Sequence, residues 1–247
     1  MIIAVSMFRD EADIAAFTLL HLFDQGVDHI VVADNRSADG TREILDAIAR
    51  AYPLTVIDDP DPAYYQADKM TRLAHVAGEM GAEWVLPFDA DEYWYSPHGT
   101  IRDTLSTVPA DVVKAWGWDH IPQRTDSCEA DPFRRIVHRR QETQKLPKVA
   151  FRYASDAKLH MGNHDVDRAG TRIDHALAYR HFGYRSYSQM VRKLRNGREA
   201  YEATDLHPMY GTHWREGGAK PDDVLRKEWD AFLDEPGLVY DPAPTRA

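Results

Sequence analysis

The sequence predicts an α/β fold: a mostly parallel sheet flanked by helices, followed by an irregular, mixed C-terminal half. Three observations carry that expectation. Short apolar runs alternate with helix-period segments from residue 2 to residue 88, the connections are short and rich in Gly, Pro, Asn and Asp, and the regularity ends near residue 110. Repeated strand–helix units with short loops give parallel strands joined by right-handed crossovers.

The elements follow in order. Residues 2–7 (IIAVSM) are an apolar run fit for a buried strand. Residues 11–25 read as a helix, with Ile14, Phe17 and His21 three and four apart on one face. Gly26 stops it, and HIVVAD (29–34) is a second buried strand. NRSADGT (35–41) is turn chemistry, and Ile44, Leu45, Ile48 and Tyr52 mark a helix that Pro53 closes. LTVID (54–58) is a third strand, DDPDPAYY a Pro-punctuated loop, and 66–80 a helix with Met70, Leu73, Ala77 and Met80 inward. WVLPF (84–88) is the fourth strand. Beyond it, VVKAWGW (112–118), FRRIVHR (133–139), VAFRY (149–153) and AYRHF (178–182) read as shorter, partly antiparallel strands. Helices at 187–203 and 221–234 and a Pro-rich tail complete the chain, and no internal repeat is present. One domain, 1–247, is expected, made of an alternating half (1–110), a second half (111–205) and a C-terminal helix and tail (206–247).

Composition narrows the function. Thirty Lys and Arg against 40 Asp and Glu give a formal charge of −10 over 247 residues. That sign argues against a surface that coats nucleic acid or anionic membrane by bulk electrostatics. Cys128 is the single cysteine, which excludes an internal disulfide and multi-cysteine zinc sites. No apolar run approaches the ~18 residues of a membrane span, and MIIAVSMFRDE lacks the features of a signal peptide. A cytoplasmic protein is the expectation.

In open parallel sheets, ligands lie beyond the carboxyl ends of the strands, where strand order reverses. Loops 7–11, 34–41, 58–68 and 89–95 are therefore the ones to inspect. No G-x-G and no G-x-x-x-x-G-K-[ST] occurs, which removes the dinucleotide fingerprint and the P-loop. Carboxylates can still hold a nucleotide through its base and ribose, and a metal its diphosphate. Asp34 ends the second strand and opens a tight turn; its carboxylate either accepts from a pyrimidine ring N–H or caps the turn. Asp89 and Asp91 follow WVLPF two apart, so in extended chain they project the same way. Two hard oxygen ligands suit Mg²⁺ or Mn²⁺. D-x-D also occurs at Asp59/Asp61 and Asp165/Asp167, but only Asp89/Asp91 directly follows a buried strand and runs on into Glu92 and three aromatics. Asp59/Asp61 reads as a solvated loop. Lys69 and Arg72, three apart on a helix, either reach one ligand together or form a solvated face. His160 and His164 have metal-like spacing in a non-helical context, and His21 reads as a hydrogen-bonded core residue.

Together these residues resemble a family. VSMFRDEADIAAFTLLHLFDQGVDHIVVADNRSADGT looks like the opening of the GT-A glycosyltransferases of the family 2 and family 92 type, and WVLPFDADEYW resembles their D-x-D segment. Glu129 with DPF, Lys148, His164 and RHFGYRSYSQMVRKLRNG (180–197) are similar to the family's later motifs, so the resemblance spans about residues 3–200. It implies a GT-A-like fold, a nucleotide-sugar donor (UDP- or GDP-linked), a saccharide or other hydroxyl acceptor, and Mn²⁺ or Mg²⁺ at the D-x-D. It brings Asp34 to the donor base, Asp89 to ribose or metal, and Asp91 to the metal directly. Ser6, Met7 and Arg9 would flank the base, Lys69 would lie near base or diphosphate, and His181 would complete the metal or diphosphate site. The acidic pair that carries the family's catalytic base is not plainly visible; Asp165 is the nearest candidate, followed by Glu129 and Asp131.

The expected chemistry is a single displacement with inversion: metal and a basic side chain neutralise the leaving diphosphate, and a carboxylate takes the acceptor proton. Arg185 and Lys193 follow His181 in a region rich in positive charge, which suits either diphosphate binding or salt bridges. Trp116, Trp118, Tyr93 and Trp94 offer flat faces for an acceptor sugar or belong to the core. Two rival functions are a metal-dependent nucleotide-sugar phosphohydrolase and a non-catalytic carbohydrate-binding protein.

Overall fold

The computed structural model describes residues 1–243, so the end of the Pro-rich tail, 244–247, lies outside the described residues. The chain divides into two compact units. The first comprises Met1–Asp59, Gln66–Trp118 and Thr143–His181; the second comprises Pro60–Tyr65, Asp119–Glu142 and the chain from Phe182 onward.

The alternating half is built as expected: β1 (Ile2–Phe8), α1 (Ala15–Asp24), β2 (His29–Asp34), α2 (Thr41–Ala49), β3 (Leu54–Asp58), α3 (Gln66–Glu79) and β4 (Trp84–Pro87). The four strands pair in parallel in the order β3-β2-β1-β4. Period-2 alternation sorts β1 between two layers. Ile2, Ala4 and Phe8 pack with Leu19, Leu22 and Leu45, whereas Ile3 and Val5 pack with Met70, Leu73 and Ala77 of α3. Helices on both faces leave β1, β2 and β4 apolar on both sides, hence their hydrophobic runs, whereas the edge strand β3 is only half-buried and carries Thr55.

Beyond β4 come β5 (Glu92–Tyr95), α4 (Ile101–Thr107) and β6 (Val112–Asp119). Neither β5 nor α4 was expected. The strand β5 sits inside a stretch that reads as a loop because its first residue, Glu92, is a buried carboxylate. Helix α4 is started by a capping box, Thr100 with Asp103, a signal present in the sequence. Next in the chain are α5 (Pro132–Arg135) and the two-residue β7 (His138–Arg139), where a single strand over 133–139 was expected. Asp131 accepts from the Phe133 N–H and Pro132 occupies the first turn, which commits the segment to a helical start. The strands β8 (Lys148–Arg152), β9 (Lys158–Leu159), β10 (Val166–Asp167) and β11 (Arg172–His181) follow, with a 3₁₀ turn at Met161–Asn163. The large sheet runs β3-β2-β1-β4-β8-β6-β11-β5, antiparallel at β4–β8, β8–β6 and β11–β5, so the mixed second half is as expected.

The second unit is carried by α6 (Tyr187–Glu202), α7 (Thr212–Ala219) and α8 (Asp222–Leu233), with β12 (Val239–Tyr240) paired to β7. Met190, Leu194, Leu225 and Trp229 form its core. Helix α7 was not expected, because Gly217 and Gly218 lower its intrinsic propensity; Gly217 earns its place by lying against Leu194.

One close approach in the first unit is testable. A Cβ on Gly117 would lie 2.3 Å from ring carbons of Tyr179, and that ring is fully buried and stacked on Trp94 at 5.5 Å. The ring has no room to yield, so Gly117→Ala is expected to destabilise the protein by about 1–3 kcal/mol. Urea unfolding of the variant against the wild type measures it.

Candidate active site

The order β3-β2-β1-β4 means that the chain steps outward from β1 and then returns to its other side. The crevice at such a reversal lies beyond the carboxyl ends of β1 and β4. Phe8 registers with Asp34 and Asp34 with Asp58, so the strand ends are level. Arg9, Asp34, Asp59 and Asp89 therefore follow or end four neighbouring parallel strands on one edge of the sheet.

On the β1 side, the buried Ser6 hydroxyl donates to the Phe88 carbonyl at 2.6 Å and ties β1 to the segment that leads into Asp89. Met7 is half-buried against the α3-side core, and Arg9 is half-buried just after the strand. Asp34 is buried; one oxygen accepts from the Ser37 N–H at 3.3 Å and the other lies 3.9 Å from Arg42. Asp59 departs from the solvated loop read for it. Its carboxylate accepts from Lys69 at 2.7 Å and from the Asn35 amide at 2.9 Å, with Lys69 itself buried.

On the β4 side lies a buried ionic cluster. The Lys148 ammonium, at the start of β8, bonds Asp89 and also Glu92, at 2.9 Å from the latter. The other Asp89 oxygen accepts from the Asn163 amide at 3.2 Å. Glu92 further accepts from the Asp89 N–H at 3.0 Å and from the Trp94 indole at 2.9 Å. Burial works against the Lys148 charge, but Asp89 and Glu92 outweigh it and hold the amine well above its usual range. Burial pushes the Glu92 carboxyl up, against the pull of Lys148; the donors converging on it favour the carboxylate.

Asp91 is buried, and its carboxylate lies 3.5 Å from His181 Nε2. The Tyr179 hydroxyl donates to Gln144 Oε1 at 2.5 Å, which turns the Gln144 amide N–H toward His181 Nδ1 at 2.9 Å. Nδ1 therefore accepts and Nε2 carries the proton that faces Asp91. A cation on Nε2 needs the other tautomer, reached by reversing the Gln144 amide so that the Tyr179 hydroxyl accepts. Among the described residues no group of three His, Cys, Asp or Glu gathers as a ready-made metal cage. Asp91 and His181 could hold an ion only if its remaining ligands came from elsewhere, such as oxygens of a bound diphosphate and water.

Asp165 accepts from Arg172 at 2.5 Å and from the Val166 N–H at 2.8 Å. Burial opposes its ionisation, but these two donors outweigh it and hold the carboxyl below the usual range. Glu129 and Arg185 belong to the second unit. Glu129 is exposed and lies 3.3 Å from Arg134; Arg185 is buried, and its guanidinium donates to the Phe182 carbonyl at 3.0 Å. Asp131 is the α5 cap. Two of the three aromatics after the D-x-D are core: Tyr93 stacks on His21 at 3.5 Å and Trp94 on Tyr179, whereas Tyr95 is half-buried under Arg180. His21 itself bonds the Trp94 carbonyl at 2.6 Å, as a core histidine should.

Comparison with known proteins adds one finding about the alternating half. Residues 3–112 match the family model Glycosyl transferase family 2. That match encloses β1 to β5, and with them Ser6, Met7, Arg9, Asp34, Lys69, Asp89 and Asp91. No curated protein matches the chain. Among solved structures, S. aureus TarS 1–349 in complex with UDP is similar at 14% identity over 88% of this chain and 70% of that one, with a TM-score of 0.47. The same protein in complex with UDP-GlcNAc gives 13% identity, 88% and 71% coverage and a TM-score of 0.47. HddC from Yersinia pseudotuberculosis complexed with GMP-PN gives 14% identity, 74% and 95% coverage and a TM-score of 0.42. No helix among the described residues is long and apolar enough to cross a membrane.

Sequence reasoning passed over two features of this site. Lys148 was noted only as part of a family motif, although a lysine opening an apolar strand, KVAFR, signals a buried charge with a distant partner. Gln144, which sets the His181 tautomer, carries no local signal at all.

Proposed function

We propose that this chain is a glycosyltransferase of the family 2 or family 92 type with a GT-A-like fold. It moves a sugar from a UDP- or GDP-sugar to an acceptor hydroxyl, assisted by Mn²⁺ or Mg²⁺, with inversion at the anomeric carbon. The observation that carries this reading is that the family match over residues 3–112 encloses a strand edge bearing Asp34, Asp89 and Asp91.

In this reading Asp34 accepts from the base N–H, and Ser6, Met7 and Arg9 flank the base. Lys69 holds Asp59 beside it. Asp89, fixed by Lys148 and Asn163, keeps lone pairs for a ribose hydroxyl. Asp91 and His181 hold the divalent ion, which when bound neutralises charge on the departing diphosphate. Arg185 and Glu129, in the second unit, are given no step.

Release of nucleoside diphosphate from UDP-GlcNAc, UDP-glucose and GDP-mannose, with and without a panel of p-nitrophenyl glycosides, tests this function. Acceptor-dependent release supports transfer. Donor cleavage indifferent to acceptor marks a phosphohydrolase, and binding without cleavage marks a carbohydrate-binding protein.

A further inference from the structure

Two tethers fix the ring of His164 beside the Asp89 cluster. Its Nδ1 lies 2.9 Å from the carbonyl of Pro147, the residue before Lys148. A carbonyl only accepts, so Nδ1 carries the ring proton and Nε2 the lone pair. The residue before it, Asn163, is fully buried and donates to Asp89. The ring packs over Gly162, whose φ is +73°; a Cβ there would lie 2.3 Å from Nε2, so glycine makes room for the imidazole. Nε2 has no hydrogen-bond partner among the described residues and is not among the buried unpartnered atoms, so solvent reaches it. The charged groups facing the ring are Lys148 and Asp89. Burial, and then Lys148, hold the imidazole below its usual pKa and keep it neutral near pH 7. Asp165, the carboxylate expected to act as base, has one of its two oxygens, Oδ1, engaged by both Arg172 and the Val166 N–H.

We infer that His164, through Nε2, is the general base that takes the proton from the acceptor hydroxyl. This rests on the glycosyltransferase reading and adds the base to it. As the acceptor oxygen forms its bond to the anomeric carbon, its proton passes to Nε2. The bond from that carbon to the diphosphate oxygen breaks, and its electron pair leaves with the nucleoside diphosphate. The imidazolium then returns its proton to water.

The test compares wild type with His164→Asn, whose amide can keep the bond to the Pro147 carbonyl but has no second ring nitrogen, and with His164→Ala. Donor affinity is read by calorimetry with UDP, and transfer by UDP or GDP release onto the p-nitrophenyl glycoside that the wild type uses fastest. His164→Asn is expected to keep the UDP affinity and to lower transfer on the order of 10²–10⁴-fold, the usual contribution of a positioned base. Added imidazole should restore part of the transfer lost in His164→Ala, in proportion to its neutral fraction. Transfer by His164→Asn within a few-fold of wild type overturns the assignment. So does a loss that merely tracks lost UDP binding and that imidazole leaves untouched. A wild-type chain that transfers to no acceptor in the panel and binds no UDP or GDP overturns the glycosyltransferase reading first, and the base with it.

Discussion

Replacing Lys148 by methionine is expected to destabilise the protein by about 3–5 kcal/mol, the usual consequence of removing one member of a buried ionic group. The ammonium is buried and answers two carboxylates at once, Asp89 and the fully buried Glu92. Without it, Glu92 keeps N–H donors from Asp89 and Trp94 but loses the charge that offsets its burial. Its folded-state pKa, already raised, rises further. A carboxyl with a raised folded pKa loses stability as pH climbs through that value, because the unfolded chain ionises more easily. The deficit should therefore be largest near pH 8 and shrink as pH falls toward 5. Urea unfolding across that range measures it. Adding Glu92→Gln to Lys148→Met should recover part of the loss, whereas independent, additive effects of the two substitutions would show that the pair is not coupled.

Asp91→Asn is expected to lower glycosyl transfer on the order of 10²–10³-fold, comparable to losing one preorganised stabiliser of developing charge. The substitution keeps the shape of the side chain and removes the anion that faces His181. Nucleoside diphosphate should bind the variant as well as the wild type when metal is absent, because the proposed reading gives the base and ribose contacts to other residues. What disappears is the tightening that Mn²⁺ brings. A variant that transfers at the wild-type rate would remove Asp91 from the metal site.

The parts of this protein that were legible in the sequence are those that local pattern encodes. Buried parallel strands need apolar side chains on both faces, so β1, β2, β3 and β4 stand out as runs, and the turn residues after them mark the strand ends where Asp34 and Asp89 sit. The rest depends on partners far away in the chain. Glu92 opens a strand although it is a carboxylate, because Lys148 reaches it from β8. Asp59 reads as a loop residue among prolines, yet Lys69 and Asn35 close on it. The proton on His181 is set by Gln144 and Tyr179, which no periodicity connects. Helix α4 differs, since its Thr100–Asp103 capping box was readable and passed over, while α5 shows a cap and a proline outweighing the β-like composition of the residues that follow.

Calorimetric titration of UDP and of GDP into the wild-type chain, with and without Mn²⁺, tests the central claim most directly. The account predicts a single site for one of the two nucleotides and an affinity at least about tenfold higher with Mn²⁺, a difference of about 1.4 kcal/mol. In the proposed reading Asp91 and His181 would supply two ligands of a shell that a diphosphate completes, so the gain should require nucleotide and metal together. Identical affinity with and without Mn²⁺, or no heat from either nucleotide, would contradict the assignment of this strand edge as a metal-assisted nucleotide-sugar site.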